Sequence, residues 1–562
     1  QMGVRIHGAE YPITKVFSND FAFSIPLYQR PYSWTTDEAG ELLDDLLATV
    51  NKEERTPIDD LDPYFLGSIV LIKQEDRPES EVVDGQQRLT TLAILLAAMR
   101  SCVDTTFGQG LSEFLYERGN PVAGTKDRYR LTIRSRDADF FRTHVQKDGG
   151  LDKLLAIDTA TLPDAHRNIR DKAALFVKEL NRLDGSSLQR LAQFVIQRCF
   201  LVAVSTPDLN SAYRIFSVLN ERGLDLSHAD ILKSETIGSI PEDQQGDYAD
   251  KWEHTEEELG REGFSELFAH IRMIYGKNKL RETVLQGFRT TVAERVNDPM
   301  KLIDEVVIPF ADAYENVRNC DYESSARADE VNTLLGWLNR IDNFDWIPSA
   351  ILFMSRHRNA ADKLVTFMTD LERLAASMLI RRTNINARID RYGKVLAAIE
   401  AGDDLSMDGS PLQLDTDETK ETRDLLAADL YLMTKVRLYV LLRLDSALSS
   451  GGATYDYPLV TVEHVLPQTM DEDGEWFLDF EEDEHAEWVH KLGNLVLLTR
   501  RKNSQAQNYD FDKKKEKYFT GRGGTSPFQL TTQVLGEETW SVDVLERRQK
   551  ELLGKLAVLW RL

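Results

Sequence analysis

Cysteine is scarce in this chain. Cys102, Cys199 and Cys320 lie far apart and never form a CxxC pair. A disulfide framework and a thiolate zinc site are therefore both unexpected, and any metal would have to take oxygen and imidazole ligands. Long apolar runs are missing too, since no window approaches the roughly 18 uncharged apolar residues that span a bilayer. The opening QMGVRIHGAEYP lacks the apolar core of a signal peptide. These absences point to a cytoplasmic protein with no membrane partner. There is no repeat of fixed period, and low complexity is confined to one acidic tract, DEDGEWFLDFEEDEHAE at 471–487, which reads as an exposed loop.

What is present is the balance of an ordinary globular protein, 42% hydrophobic and 29% charged. At 562 residues the chain exceeds the roughly 250 to 300 at which a single core stops growing, so two domains and a helical connector are expected. The formal net charge of -25 argues against indiscriminate nucleic-acid binding, because phosphate neutralisation supplies most non-specific affinity. One stretch departs from it: between Arg500 and Gly523 eight basic residues stand against three acidic ones. An acidic body carrying a basic strip would repel nucleic acid everywhere except at that face. A merely solvated helix face is the alternative reading.

Short β-rich runs alternate with helical spacing over the first hundred residues: FAFSIPLY, DEAGELLDDLLATV, YFLGSIVLIKQ and EVVDGQQRLTTLAILLAAMR. YRLTIR adds an edge strand and CFLVAVST a buried one, which makes an α+β domain. From about residue 240 amphipathic helices follow one another. The polar stretch AGDDLSMDGSPLQLDTDETK and the shorter SSGGATYD read as linkers on either side of one apolar helix, LLAADLYLMTKVRLYVLLRL. The overall class is α+β and predominantly helical, divided into residues 1–240, 241–420 and 421–562.

The C-terminal third holds the most specific pattern. VTVEHVLPQT places Glu463 and His464 at the end of a β-branched run stopped by proline, and KLGNLVLLTRRKNSQAQNYDFDKKKEKY supplies a second strand and a helix. Strand, histidine, strand and helix in this order have the shape of a ββα-metal nuclease finger. In such a finger His464 is the general base, Asn494 the supporting loop residue and Asn503 the helix residue. Glu463 is then either a metal ligand or a partner behind the ligands. Imidazole, with an ordinary pKa of about 6.5, can accept a proton near neutral pH. Oxygen ligands from Glu463 and Asn503 suit Mg²⁺ or Mn²⁺ rather than Zn²⁺.

VEHVLPQ, KLGNLVLL and KNSQAQNYDFDKKKEKY together resemble the C-terminal HNH domain of the GmrSD-like modification-dependent restriction endonucleases. That resemblance implies that Asn508 and Lys514 meet DNA, with Arg500, Arg501 and Lys502 of the basic strip, and that Phe511 and Tyr518 are core. It extends to the N-terminus, where IPLYQRPYSW, FLGSIVL and VVDGQQRLTTL resemble the family's nucleotide-handling domain, itself related to the ParB and sulfiredoxin fold. The sequence departs from many HNH nucleases in its long acidic insertion between His464 and Asn494, and in using asparagine where a final histidine is common.

In DGQQRLTTL a strand ends at Asp84, turns at Gly85 and enters a helix at Gln86. Backbone N–H groups and the Arg88 guanidinium would converge there on a phosphate, Gln86 or Gln87 could orient water, and Asp84 could hold Mg²⁺. This is no P-loop, and a structural arginine fits the pattern equally well. Tyr28, Gln29 and Arg30 precede a proline and are interleaved with aromatics, as in surfaces that bind bases or phosphates; a core role for Tyr28, Tyr32 and Trp34 is the alternative. The resemblance further implies that Asn220, Arg222, Asp230 and Lys233 complete the nucleotide site.

The expectation is an endonuclease of bacterial phage defence that is regulated by GTP or ATP and cuts modified DNA, with a homo-oligomer compatible. The family includes phosphorothioate-sensing proteins, but no motif separates that modification from glucosylated or methylated bases. A nucleotide-regulated nuclease on RNA or unmodified DNA, and a non-catalytic DNA-binding module, are the rival readings.

Overall fold

The structure is a computed structural model that describes residues 6–562 apart from Tyr28, Arg30, 52–54, Asn210, 213–226, 450–452, 500–506 and 521–525. The chain packs as two compact units, Gln1–His254 and Thr255–Leu562. Of residues 241–420, expected as a connector, 255–420 lie in the same unit as the C-terminal pattern. No helix among the described residues is long and apolar enough to cross a membrane.

The first unit is built on strands β1 (His7–Pro12), β2 (Ala22–Ser24), β3 (Tyr64–Lys73), β4 (Glu79–Asp84), β7 (Leu131–Thr132) and β8 (Cys199–Thr206), while β5 (Tyr116–Glu117) and β6 (Arg128–Tyr129) form a separate small ladder. The mixed sheet runs β1-β8-β3-β4-β2-β7. CFLVAVST is an interior strand next to the edge, flanked by β1 antiparallel and β3 parallel, and the YRLTIR segment supplies the edge strand β7. The helix Gln86–Cys102 is apolar all round and buried from Leu89 to Met99, as a helix enclosed by its own domain should be. The helix Thr36–Asn51 shows one apolar stripe, burying Ala39, Leu43, Leu46 and Val50 at spacings of three and four.

Two glycines fix the junction between sheet and central helix. Gly85 has φ +95, and a Cβ there would lie 2.4 Å from Cγ2 of Ile69; both the turn and the close approach require glycine. Gly67 has φ +112 at a register shift in the β3–β8 ladder, and a Cβ there would lie 2.7 Å from Cζ of Arg88. The bulge therefore opens the space that the guanidinium fills.

The second unit is helical, with a two-stranded antiparallel hairpin of β9 (Thr461–His464) and β10 (Leu495–Leu498). All four β10 residues are buried. Around the hairpin lies an aromatic core containing Trp476, Phe480, Trp488, Phe511, Tyr518, Phe519 and Trp540.

Three sequence expectations change here. The acidic tract is no loop: it forms the helices Glu475–Asp479 and Glu482–Trp488, because Trp476, Phe480 and Trp488 plant it in the core while its carboxylates stay outside. The glycine-containing stretch before residue 415 is tied down rather than free, since Arg391 donates to the carbonyls of Pro411 and Gln413 and pairs with Glu418. LLAADLYLMTKVRLYVLLRL is not one helix. The helix Thr416–Ala427 stops, Leu430–Leu432 makes a single 3-10 turn, and a new helix runs Arg437–Leu448. Leu430 and Tyr431 of that turn are buried, so packing overrides helix propensity.

Candidate functional site

His464 is the last residue of β9, and Asn494 ends the 3-10 turn Leu492–Asn494 that leads into β10. The register pairs His464 with Leu495, so the hairpin brings the two motifs together. Asn494 is fully buried and uses its whole carboxamide. Its Oδ1 accepts from the Leu466 N–H at 2.7 Å and from Nε1 of Trp540 at 3.2 Å, and its Nδ2 donates to the carbonyls of Leu466 and Val489 at 2.9 and 2.8 Å. The side chain acts as a piece of extra backbone locking the turn after His464. Aspartate in its place would lose both donors.

Sequence reasoning missed what braces this turn from behind. From the C-terminal helix Val542–Trp560, Gln549 Oε1 accepts from the Gly493 N–H at 2.6 Å and Arg548 Nε donates to the Gly493 carbonyl at 3.0 Å. Such residues look like ordinary polar positions of an amphipathic helix, so only tertiary contact identifies them.

The His464 ring is only 3% exposed. Its Nε2 lies 3.2 Å from Nδ1 of His490, and the Tyr431 ring packs against it with centroids 3.9 Å apart. Tyr431 is itself held, its N–H donating to the His490 carbonyl at 3.0 Å and its ring covered by the Arg437 guanidinium at 4.0 Å. Burial pulls His490 below the ordinary histidine range, against the pull of nearby Asp429. His490 and Tyr431 are thus further residues of the site that the sequence reading did not name. The HKLGN spacing held a signal for His490; for Tyr431 the expected continuous helix concealed it.

Glu463 and His464 are consecutive on one strand, so their side chains leave on opposite faces. Glu463 is buried and its Oε2 accepts from the Tyr518 hydroxyl at 3.0 Å. Among the described residues no group of three His, Cys, Asp or Glu side chains could hold a metal ion. On its face of the strand Glu463 meets Tyr518 in the core. Asn503 lies outside the described residues, as do Arg500, Arg501 and Lys502. Asn508 is exposed, open to a surface contact.

Lys514, expected to meet DNA, faces the other way. It is 0% exposed, and its Nζ donates to the carbonyls of His464 and Val465 at 3.0 and 2.8 Å. The helical spacing that leaves Lys513 and Lys517 outside points Lys514 inward with Phe511 and Tyr518. Phe511 and Tyr518 are core, as the resemblance implied.

In the first unit the end of β4 gathers part of the second motif set. Asp84 closes the strand, Gly85 caps the helix Gln86–Cys102 in the left-handed conformation without a side-chain cap, and Arg88 Nη1 donates to the Ser68 carbonyl at 2.9 Å. Burial pushes the Asp84 carboxyl upward, opposed by the Gly85 N–H and the Arg88 charge; burial likewise lowers Arg88, opposed by Asp84. Gln87 is committed to structure: its Oε1 accepts from the N–H groups of Ser33 and Trp34 at 2.9 and 3.1 Å, and its Nε2 donates to the Pro31 carbonyl.

Gln29, expected at a DNA surface, is 4% exposed and its Nε2 donates to the carbonyls of Val82 and Val83. An amide at this depth serves the open side of β4 rather than solvent. Tyr32 is likewise core, hydrogen-bonded to Thr91 at 2.8 Å. Tyr28, Arg30, Asn220 and Arg222 lie outside the described residues. Asp230 closes a capping box with Ser227, and Lys233 pairs with Glu253 at 2.9 Å.

Burial moves the Lys514 amine from 10.5 down to about 7, opposed by the Glu463 charge. Between these values the unfolded chain holds a proton that the folded chain has released, so unfolding takes up a proton and stability rises with pH across that window. The unfolding free energy of wild type minus that of Lys514→Met is expected to grow from pH 7 to 10 in urea titrations. A difference that stays flat would contradict the buried amine.

Two family models match the chain. That of the GmrSD restriction endonuclease, N-terminal domain, covers residues 13–237, and that of the GmrSD restriction endonucleases, C-terminal domain, covers residues 415–555. No curated protein matches it. The matched regions contain both residue groups described above, Asp84 to Arg88 in one and His464 with Asn494 in the other, and together they span well over half of the sequence. The chain belongs to the family of GmrSD restriction endonucleases, nucleases that act on DNA.

Proposed function

We propose that the protein is a nucleotide-regulated, modification-dependent DNA endonuclease of phage defence, with His464 as the general base of an HNH site. The observation that carries this reading is the Asn494 carboxamide clamped across Leu466 and Val489, which fixes an imidazole at the end of a hairpin. His464 takes a proton from water as the water oxygen attacks phosphorus. The phosphodiester P–O bond breaks, and the departing oxygen takes its proton from solvent.

A divalent cation, Mg²⁺ or Mn²⁺, would supply charge neutralisation at the phosphate when bound. Asn503 would be its protein ligand, and Glu463 supports the hairpin from the opposite face.

In the first unit, nucleoside triphosphate, GTP or ATP, would meet the uncapped start of the helix Gln86–Cys102. A helix N-terminus offers N–H groups to phosphate, and Arg88 adds a guanidinium fork. Asp84 would gain from a nearby cation the stabilisation that burial denies its carboxylate. Nucleotide turnover would gate the nuclease.

His464→Ala is expected to lower plasmid nicking in Mg²⁺ or Mn²⁺ by at least about 10²-fold, with folding and nucleotide turnover intact; undiminished nicking would refute the base. Arg88→Ala is expected to lose nucleotide hydrolysis, and modified DNA to change the wild-type turnover rate. Equal turnover in Arg88→Ala and wild type would remove the cradle.

A further inference from the structure

Between the two family-matched regions, which end at residue 237 and resume at 415, the second unit carries a basic island. From Arg272 to Lys301 seven basic residues stand against three acidic ones, in a chain that holds 93 acidic residues and 68 basic ones. We propose that this island is a docking surface for the phosphate backbone of duplex DNA, with Lys279, Arg281 and Arg295 as its contacts and Arg272 holding the loop that presents them. Such a surface needs neither His464 as a base nor a bound nucleotide.

The island is built at the end of one helix. The helix Glu242–Gly276 stops, and Lys277 turns the chain with φ 56, the left-handed conformation that commonly ends helices. Arg272, one turn before that end, is 7% exposed, and its Nη1 and Nη2 donate to the backbone carbonyl and the side-chain oxygen of Asn278. From the helix Glu294–Val296, Arg295 Nη1 donates to the Tyr275 carbonyl at 3.0 Å. Two guanidinium groups thus fasten residues 275–278. The chain that follows carries Lys279 and Arg281, and these two and Arg295 are exposed.

Arg272, Lys279, Arg281 and Arg295 line one cavity of about 480 Å³, and Glu282 is the carboxylate lining it among the described residues. Glu282 acts on Arg272 and accepts from the Thr290 hydroxyl at 3.5 Å. Of the neighbouring acids, Glu400 pairs with Lys277, while Glu305 acts on Tyr275 together with Arg295. Lys279 and Arg281 have no ion-pair partner among the described residues. Other cations of the unit do: Arg327 pairs with Glu330 and Asp362, and Arg391 with Glu418. A chain rich in carboxylates therefore gathers four cations around one of them. Like charges held together repel, and a polyanion relieves that repulsion.

The exposure of these groups selects the kind of anion. A small phosphate ligand is enclosed over most of its surface by its site, whereas Lys279, Arg281 and Arg295 stand in the open. Exposed lysine and arginine suit a backbone that passes across a surface, contacts that position a duplex without reading its sequence. Duplex DNA is also the polyanion that a DNA-cutting family meets.

The test measures binding to a fluorescent DNA duplex by anisotropy in EDTA, so that nothing is cut, over a salt series. It compares wild type, the double variant Lys279→Gln with Arg281→Gln, and a control, Lys363→Gln with Lys555→Gln, which removes the same charge at exposed positions of the unit outside the cavity. The slope of log affinity against log salt is expected to shrink by about 2 in the double variant, so that the wild-type advantage falls roughly tenfold between about 50 and 200 mM salt. The control is expected to keep the wild-type slope, all three proteins to melt alike, and calorimetric binding of GTP and of inorganic phosphate to be the same in all. Equal slopes in wild type and the double variant, or an equal drop in the control, would overturn the docking surface. Loss of GTP or phosphate binding with duplex binding intact would overturn it as well, since the cavity would then take a small anion.

Discussion

The second unit depends on one carboxamide. Asn494 makes four hydrogen bonds with no access to water, and a buried group that is fully satisfied is stabilising where a partly satisfied one is costly. Its partners lie on the segment after His464, on the segment before His490 and on Trp540. Removing it would unfasten the turn between β9 and β10 at three places. The helix Val542–Trp560 reinforces the same turn through Gln549 and Arg548, so this helix is built into the candidate nuclease site.

Burial also decides how the charged residues of this region are used. Lys514 and Glu463 were natural candidates for phosphate and metal, yet both point into the core, Lys514 onto the carbonyls of His464 and Val465 and Glu463 onto Tyr518. A lysine amine in a dry site is tolerated because two carbonyls take its hydrogens and a carboxylate lies near. Lys514 and Glu463 thus become part of the platform under the hairpin, while exposed groups such as Lys513, Lys517 and Asn508 remain on the outside.

Much of this was legible in the sequence. Alternation and β-branching located β3, β4 and β8, and proline after His464 marked the end of β9. Gly85 marked a strand-turn-helix because its position needs a left-handed backbone with no room for Cβ. Less legible was anything decided by direction rather than spacing. Gln29 and Gln87 look like ligand-binding amides but replace missing backbone partners around β4 and residues 31–34. The acidic tract conceals two aromatic anchors, Trp476 and Phe480, and the break that brings Tyr431 against His464 interrupts a run with strong helix propensity. In each case a long-range contact outweighed a local preference, and one sequence carries no direct record of such contacts.

We propose that a DNA-cutting HNH centre is controlled from the Asp84–Arg88 region by nucleotide and by DNA modification. The most direct test is cleavage by the wild-type protein of a matched panel: unmodified DNA, glucosylated, methylated and phosphorothioate DNA, and RNA, each with Mg²⁺ or Mn²⁺ and with GTP, ATP or no nucleotide. The account predicts divalent-dependent nicking or cutting of at least one modified DNA, a change in that rate on adding nucleotide, and sparing of unmodified DNA. Equal cleavage of unmodified DNA or RNA, or cleavage indifferent to nucleotide, would contradict it.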